Sequence, residues 1–160
     1  MSAELRKANI ALVQRWVDAV NAPWDFAAME EIFAEDVDYG LPWCGDLGFP
    51  THIIGRDETV AFIRQAADFV EPENIHNVRI HTFDDDPNEL LAEYSVDTRL
   101  IASGAEYRND LLIRATVRDG KIARFAEHLD LARLLKSMGG RIELPQPAGA
   151  TQGSDGGELS

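Results

Sequence analysis

The feature that most constrains the fold of this chain is a pair of alternating runs joined by a tight turn. Residues 107–117 and 121–129 alternate between apolar and polar positions, and Arg118-Asp119-Gly120-Lys121 stands between them. A period of two is typical of a strand with one buried face, and Asp-Gly is a strong signal for a two-residue hairpin turn. The sequence therefore predicts a long antiparallel hairpin whose two faces lie in different environments.

The odd-numbered face of this hairpin is predicted to point into the core. In the first run this face consists of Tyr107, Asn109, Leu111, Ile113, Ala115 and Val117, and the even-numbered face carries most of the charge. In the second run the odd-numbered face consists of Ala123, Phe125, Glu127 and Leu129, and the even-numbered face of Ile122, Arg124, Ala126 and His128. With the odd positions inward on both strands, Glu127 points into an apolar interior.

A carboxylate in such a place is the main functional candidate of the sequence. Burial costs several kcal/mol unless the group is paired, hydrogen-bonded or protonated, and it raises the pKa toward the range used in acid/base catalysis. Glu127 is therefore predicted to be catalytic, the alternative being an ion pair with an arginine at the sheet edge. Tyr107 and Asn109 share the inward face of the neighbouring strand and are predicted to stabilise a developing oxyanion. The alternative for these two is a satisfied polar plug.

The remaining patterns predict helices ahead of a run of strands. Helices are expected over residues 3–20, from an N-cap at Asp25, over 55–70, and from an N-cap at Asp130 to Gly139-Gly140. Strands are expected from Ala34 to Pro42 and over 75–83, 89–102, 105–117 and 121–129, with a loop from Trp43 to Gly55. This order indicates an α+β domain in which helices pack on the concave face of a curved antiparallel sheet. A pocket is expected where the helices and the sheet diverge.

Further candidates lie on or after the first strand and on the strand around residue 95. Tyr39, Trp43 and His52, with Phe49, are predicted to bind substrate at the pocket mouth, where aromatic rings could clamp a flat molecule, although ordinary packing would also explain them. Between residues 90 and 100 the even-numbered face is expected inward, which places Tyr94 in the pocket. Asp97 then lies outward in a charge group, unless a bulge inverts the strand, in which case Asp97 is predicted to bind substrate and to act as a second acid.

Composition narrows the class of protein. The chain has 160 residues, 45% of them hydrophobic, which suits one domain over residues 1–140. Residues 141–160 are predicted to be a disordered tail, dominated from Pro145 onward by Gly, Ser, Gln and Pro. No apolar run approaches the ~20 residues of a membrane span, and no signal peptide is recognisable at the N-terminus. The single cysteine, Cys44, excludes an internal disulfide and suits a reducing compartment, so we expect a cytoplasmic protein.

Charge and motifs exclude several partners. The net charge of −13 argues against nucleic acid and anionic membrane surfaces. The four histidines show no ligand spacing, and no Gly-rich phosphate motif or nucleophile elbow is present. We therefore expect neither a metal nor a cofactor.

Several motifs resemble those of a known family. These are EIFAEDV at 31–37, Gly-Arg-Asp at 55–57, Tyr-x-Asn at 107–109, Asp-Gly-Lys-Ile at 119–122 and Glu-His-Leu-Asp at 127–130. In this order they resemble the nuclear transport factor 2-like superfamily, and within it the SnoaL-like polyketide cyclases and the phenazine-biosynthesis A/B proteins. The resemblance covers about residues 5–140.

The resemblance implies a conical α+β barrel with an apolar cavity, usually a homodimer. Many members are cofactor-free isomerases, cyclases, dehydratases or lyases, and others are binding modules without catalysis. By position, Glu127 matches the acid/base glutamate of the phenazine proteins, and Asn109 lies near the oxyanion donor of ketosteroid-isomerase-like members. Phe62 stands where the phenazine proteins are expected to have a histidine, which argues against phenazine chemistry itself.

The combined expectation is a cofactor-independent lyase, isomerase or cyclase. Its substrate would be a hydrophobic, aromatic or polycyclic small molecule with hydroxyl or carbonyl groups, because the inward faces lack the basic residues that a phosphate requires. The alternative is a non-catalytic module that binds a small molecule or another protein. A homodimer is also predicted, because the outward face of the sheet is expected to carry the apolar residues Leu91, Ile101, Leu112, Ile122 and Ala126.

Overall fold

The computed structural model describes residues 3–21, 23–143 and 145. Its elements follow the predicted order, with four helices and six strands among these residues. The helices are α1 (Ala3–Val20), α2 (Phe26–Ile32), α3 (Arg56–Ala66) and α4 (Leu131–Ser137). The strands are β1 (Phe33–Gly40), β2 (Ile53–Ile54), β3 (Asn74–Thr82), β4 (Glu89–Arg99), β5 (Glu106–Arg118) and β6 (Lys121–Leu129). The α+β class predicted from the sequence is confirmed.

The six strands form one curved sheet in the order β2-β1-β6-β5-β4-β3. Strands β3 to β6 make an antiparallel meander, as the turn signals predict. Strand β1, however, lies parallel to β6, with Tyr39 opposite Phe125, so the sheet is mixed and the prediction of a wholly antiparallel sheet is wrong at this pairing. A long connection that contains α3 separates β1 from the meander, and no tight turn fixes its direction.

The helices cover the inner face of this sheet and form the core with it. Val13, Trp16, Val17 and Val20 of α1 are buried, as their helical spacing predicts. The ring of Trp16 lies 4.7 Å from the ring of Phe125, centroid to centroid. The predicted inward faces of β4 and β5 are both confirmed by the alternation of burial along these strands.

A bulge in β6 changes the prediction at two residues. The register passes from Thr116 opposite Arg124 to Val117 opposite Ile122, which leaves Ala123 as the extra residue. Ile122 is consequently buried, with 0% of its surface exposed, and Ala123 is half-buried. The prediction that Ala123 points inward and Ile122 outward is therefore wrong, while the alternation beyond the bulge follows the prediction.

The helix ends follow local chemistry. The carboxylate of Asp25 accepts the backbone N–H of Ala28, and that of Asp130 accepts the backbone N–H groups of Ala132 and Arg133, so both predicted N-caps are confirmed. Helix α3 ends at Ala66 rather than at residue 70, because the chain then turns to pair with the end of β4.

The predicted loop after β1 contains only two short elements. The segment from Trp43 to Gly55 holds a 3-10 turn, Gly45–Leu47, and the short β2. Most of the predicted disordered tail lies outside the described residues. Within the described part of the chain, no helix is both long and apolar enough to cross a membrane.

Gly40, at the end of β1, lies so close to the neighbouring backbone that no side chain fits there. A Cβ atom there would lie 2.0 Å from the backbone oxygen of Thr51. Because a backbone atom cannot move aside cheaply, Gly40→Ala is expected to lower the free energy of unfolding by about 1–3 kcal/mol. Chemical denaturation measures this loss.

Gly45→Ala is the matched control, since its added carbon would meet only a side-chain methyl group of Thr51, at 3.0 Å. This variant should lose clearly less stability than Gly40→Ala. Equal losses for the two variants would contradict the proposed backbone contact.

Candidate active site

A cavity of about 140 Å³ lies between the helices and the inner face of the sheet. Its walls are largely aromatic, with two carboxyl groups and no Lys, Arg or His among the described lining residues. The aromatic lining residues are Trp16, Trp24, Tyr39, Phe49, Phe62 and Tyr94, and the two acids are Glu73 and Glu127. An apolar cavity with a few convergent polar groups is the usual form of a small-molecule site.

Glu127 is the buried acid of this cavity, with 9% of its surface exposed, and its inward direction agrees with the prediction. Burial raises the pKa of Glu127 to about 7, and the hydroxyl of Tyr39, on the adjacent β1, lies near the Glu127 carboxylate and opposes that rise.

An arginine partner for Glu127 is not found among the described residues. Arg99 lies instead 3.6 Å from Glu106, nitrogen to oxygen, and Arg124 is on the exposed face of β6. The structural alternative of an ion pair at the sheet edge is therefore wrong for Glu127. A carboxyl group with a pKa near neutrality can both take and give a proton at ordinary pH.

Glu73 is the functional candidate that the sequence analysis missed. It stands one residue before β3, is half-buried and lines the cavity. Burial raises the pKa of Glu73 to about 8, and the negative charge of Glu127 contributes to that rise. An acid that follows Pro72 in a loop normally faces solvent, and no periodic pattern reaches this position. We find no signal in the sequence that would have identified it.

Hydrogen-bond donors surround the two acids. Burial raises the pKa of Tyr94 well above its ordinary value, so its hydroxyl keeps its proton. The indole N–H of Trp24 is buried and has no hydrogen-bond partner among the residues that the structure describes. The indole N–H of Trp16 lies near the Tyr94 hydroxyl and lowers its pKa, but makes no hydrogen bond of good geometry. These groups could donate to an oxygen atom of a bound ligand, and the predicted placement of Tyr39 and Tyr94 at the cavity agrees with the structure.

Asn109 does not belong to the cavity wall. Its amide nitrogen donates to the Tyr107 hydroxyl at 2.8 Å and to the backbone oxygen of Asp130 at 3.0 Å. Its amide oxygen accepts the backbone N–H groups of Asp110 and Asp130. Both donors are therefore engaged, and the prediction that Asn109 stabilises an oxyanion is corrected. It is a satisfied polar plug that ties β5 to the start of α4.

Tyr107 lies behind this plug rather than on the cavity wall. Its hydroxyl accepts the Asn109 amide, and the nearby Glu73 and Glu127 raise its pKa together with burial. The structure therefore places Tyr107 close to the acids without bringing it to the cavity surface.

Two residues predicted at the pocket mouth lie outside the cavity. Trp43 is 58% exposed, and its ring packs edge-on against His128 at 4.6 Å on the outer side of the sheet. His52 is exposed and lies 2.9 Å from a carboxylate oxygen of Asp38. The reason is that the chain turns over the rim of the sheet after β1, so that Phe49 of this loop lines the cavity instead.

Asp97 also lies outside the cavity. Its side chain is on the outer face of β4, where it pairs with His76 at 3.2 Å and with Arg108 at 3.7 Å. No bulge inverts β4, since its even-numbered positions stay buried. The proposed role of Asp97 as substrate-binding residue or second acid is therefore corrected, and Glu73 occupies the position of a second acid.

Neither a metal site nor a nucleophilic thiol emerges near the cavity. No group of three or more His, Cys, Asp or Glu side chains within the described ranges is arranged to hold a metal ion. Cys44 is buried, and burial followed by the charge of Glu127 raises the pKa of its thiol. A thiol with a raised pKa is a weak nucleophile.

A curved sheet covered by helices around a cavity with a buried carboxyl group, which has no cationic partner within the described ranges, defines the class of small α+β cones. The comparison with protein families is consistent with this class. Residues 13–125 match the family model of the SnoaL-like domain, and the chain belongs to the SnoaL-like family, which has the nuclear transport factor 2-like fold.

Individual relatives agree with the family. The chain is 27% identical over 139 residues to the phenazine biosynthesis protein PhzB of Pseudomonas fluorescens, covering 85% of this chain and 83% of that protein. A crystal structure of a phenazine biosynthesis-related protein from Pseudomonas aeruginosa superposes with a TM-score of 0.74 at 25% identity, covering 93% and 96% of the two chains. An LEH-like epoxide hydrolase of M. tuberculosis shares the fold, with a TM-score of 0.65 at 19% identity over 84% and 92%.

The raised pKa of Glu127 predicts a pH-dependent stability. The folded protein holds this proton up to about pH 7, whereas the unfolded chain releases it near 4.5. Because the folded state binds more protons between these values, the free energy of unfolding should fall as the pH rises, by about 3 kcal/mol in total. Glu127→Gln removes this contribution, so its unfolding free energy should depend less on pH.

Denaturation of both proteins between about pH 5 and 8 measures this difference. Glu93→Gln, on the exposed face of β4, is the control and should behave like the unchanged protein. Identical pH dependence with and without Glu127 would refute a raised pKa at this position.

Proposed function

We propose that this protein is a cofactor-independent acid/base enzyme, a lyase, isomerase or cyclase, in which Glu127 transfers a proton to or from carbon. The observation that carries this proposal is a buried carboxyl group in a ligand-sized cavity, without a cationic partner among the described residues. Such a group is destabilising for the fold. It is suited to proton transfer because its pKa is about 7.

The substrate that fits this cavity is a small, apolar molecule with a carbonyl or hydroxyl group. A cavity of about 140 Å³ is close to the volume of roughly 150 Å³ that accommodates benzene. We therefore narrow the expectation of an aromatic or polycyclic substrate to a single ring. The aromatic walls would contact the faces of this ring.

The oxygen of the substrate would be held by the donors that line the cavity. Tyr94 and the unpaired indole N–H of Trp24 replace Asn109 in this role, because the amide donors of Asn109 are already engaged. Hydrogen bonds to an oxygen that gains negative charge lower the barrier of proton removal from the adjacent carbon. Tyr39 would stabilise the charged form of the Glu127 carboxylate from the adjacent strand.

The rival function is a binding module without catalysis. It requires a Glu127 that is neutralised by an arginine and a cavity that side chains fill. The lack of an arginine partner for Glu127 within the described part of the chain and the cavity volume favour the enzyme instead. The sequence relationship to a phenazine biosynthesis protein is consistent with metabolism of cyclic compounds, although Phe62 still argues against the phenazine reaction itself.

Exchange of the α-protons of cyclohexanone in D2O, followed by proton NMR, tests this function without knowledge of the natural substrate. The protein should accelerate exchange above the buffer rate. Glu127→Gln keeps the shape and removes the base, so we expect a loss of about a hundredfold or more in rate. Glu93→Gln is the control and should retain full activity.

The outcomes separate the two functions. Acceleration that survives Glu127→Gln unchanged would eliminate Glu127 as the base. Saturable binding of cyclohexanone or phenol without exchange would favour the binding module. Stabilisation by sugar phosphates in place of these molecules would overturn the assignment of an apolar ligand.

We also propose that the chain forms a homodimer through the outer face of its sheet. Leu91, Leu112 and Ala126 are half-buried on this face, and the exposed Trp43 extends the apolar area. Ile122 does not contribute, because the bulge in β6 buries it, and Ile101 lies in the turn after β4 rather than on the sheet. An isologous contact of two such faces would cover the remaining residues.

Light scattering at micromolar concentration tests the dimer. The expected mass is twice 17.8 kDa. Leu112→Glu, which places a charge in the middle of the face, should shift the mass toward the monomer, whereas Ile101→Glu should not. A monomer mass for the unchanged protein would refute the proposed assembly.

A further inference from the structure

We propose that Glu73 is a second catalytic residue, the acid that protonates the substrate oxygen while Glu127 removes the proton from carbon. This inference rests on the proposed acid/base function and adds a division of roles between the two carboxyl groups. It also defines the substrate class as an enolisable carbonyl compound of about single-ring size.

The two acids share one environment. Glu73 and Glu127 line one cavity of about 140 Å³, and no described lining residue carries a positive charge. Two carboxylates in one poorly hydrated cavity repel each other, so the pair retains one proton over a range of pH in which a solvated pair would have lost both. Near neutral pH the cavity therefore holds one acid and one base.

The surroundings of the two carboxyl groups determine which of them keeps the proton. The Tyr39 hydroxyl lies near the Glu127 carboxylate and stabilises its charged form. No described residue donates a hydrogen bond to the Glu73 carboxyl group, and its ionisation is opposed by burial and by the charge of Glu127. Glu127 therefore ionises first, at about pH 7, and Glu73 follows at about pH 8.

Other titratable groups near the pair do not disturb this order. Tyr39 on β1, Tyr94 on β4 and Tyr107 on β5 all have pKa values raised above their ordinary values, mainly by burial. The thiol of Cys44 is raised in the same way. These groups stay neutral near pH 7, so the two carboxyl groups account for the titration of the cavity in this range.

The resulting step is balanced in atoms and charge. The Glu127 carboxylate takes the proton from the carbon next to the carbonyl group, and the electron pair of the broken C–H bond forms the C=C bond of an enol. At the same time the Glu73 carboxyl group gives its proton to the carbonyl oxygen, and its own oxygen becomes charged. The cavity holds one negative charge before and after the step, and the poorly solvated interior never has to accommodate an additional one.

Return of the two protons completes an isomerisation or an elimination. For isomerisation of an unsaturated carbonyl compound, Glu127 delivers its proton to a different carbon of the conjugated dienol, and Glu73 recovers its proton from the oxygen. For an elimination, the enol electrons instead expel a leaving group that accepts the proton of Glu127. Neither route requires an oxidant, a reductant or a further reactant.

Carbon-13 NMR titration of the glutamate side chains tests the order of ionisation directly. In Glu73→Gln the midpoint of Glu127 should stay near 7, because Glu73 is neutral while Glu127 titrates. In Glu127→Gln the midpoint of Glu73 should fall below about 8, because the charge that opposes its ionisation is gone. Glu93→Gln should change neither midpoint. A Glu73 midpoint near 4.5 in the unchanged protein, or a Glu127 midpoint that falls in Glu73→Gln, would overturn the assignment.

The pH profile of cyclohexanone exchange tests the catalytic role. We expect a bell-shaped profile for the unchanged protein, because the reaction needs Glu127 ionised and Glu73 protonated. Glu73→Gln should lower the rate at least about tenfold with little change in KM and should lose the alkaline limb of the profile. Glu73→Asp, which retains an acid, should restore that limb. A Glu73→Gln variant that keeps the alkaline limb would refute the proposal.

The two experiments also separate this inference from the proposed function. If the unchanged protein fails to accelerate exchange, the proposed function fails and the catalytic role of Glu73 fails with it. The titrations would still decide whether the two carboxyl groups share a proton. Circular dichroism of each variant verifies that it is folded, and Glu73→Ala, which also lacks the carboxyl group, replaces Glu73→Gln in the titration if the latter is not.

Discussion

The proximity of the Tyr39 hydroxyl to the carboxylate of Glu127 is the interaction on which the rest of the site depends. It stabilises a charge in an aromatic interior where no described residue provides a cationic partner. For Tyr39 to reach this position, β1 has to lie directly beside β6, and the parallel pairing of Tyr39 with Phe125 provides that arrangement. Gly40 then lets the following loop pass close to the end of β1. The parallel pairing of β1 with β6 therefore accounts both for the mixed sheet and for the position of Tyr39 beside Glu127.

Acidic side chains lie in different environments on the two sides of the sheet. On the outer face Asp97 is paired with His76 and Arg108, and all three side chains are partly solvated, so these contacts add little stability. In the cavity no described residue provides such a partner for Glu73 or Glu127, and their burial destabilises the fold. The aromatic core around Trp16 and Phe125 has to offset that destabilisation.

Much of the fold followed from the sequence because periodicity reports local environment. The alternation of β5 and the cap at Asp130 led to correct elements, and the inward direction of Glu127 followed from its apolar neighbours. The bulge at Ala123 could not be predicted, because one extra residue is an adjustment of the sheet as a whole. The parallel position of β1 likewise depends on packing across the sheet rather than on any turn.

The site was predictable only in part, for a related reason. Alternation tells which face a residue occupies, but it does not tell whether its polar atoms are already bonded. Asn109 points inward as predicted, yet its amide is engaged by backbone groups that come from the start of α4. Glu73 precedes its strand and carries no periodic signal, so only the folded chain brings it to the cavity. Trp43 and His52 follow β1 in a loop whose path over the rim has no local signature.

Infrared spectroscopy of the carboxyl groups tests the central claim most directly. At about pH 6 a solvated glutamate is ionised, whereas a buried carboxyl group with a raised pKa retains its proton and shows the C=O stretch of a carboxylic acid. The account predicts this band in the unchanged protein and a weaker band in Glu127→Gln. A spectrum without the band, or with a band that Glu127→Gln leaves unchanged, would contradict it.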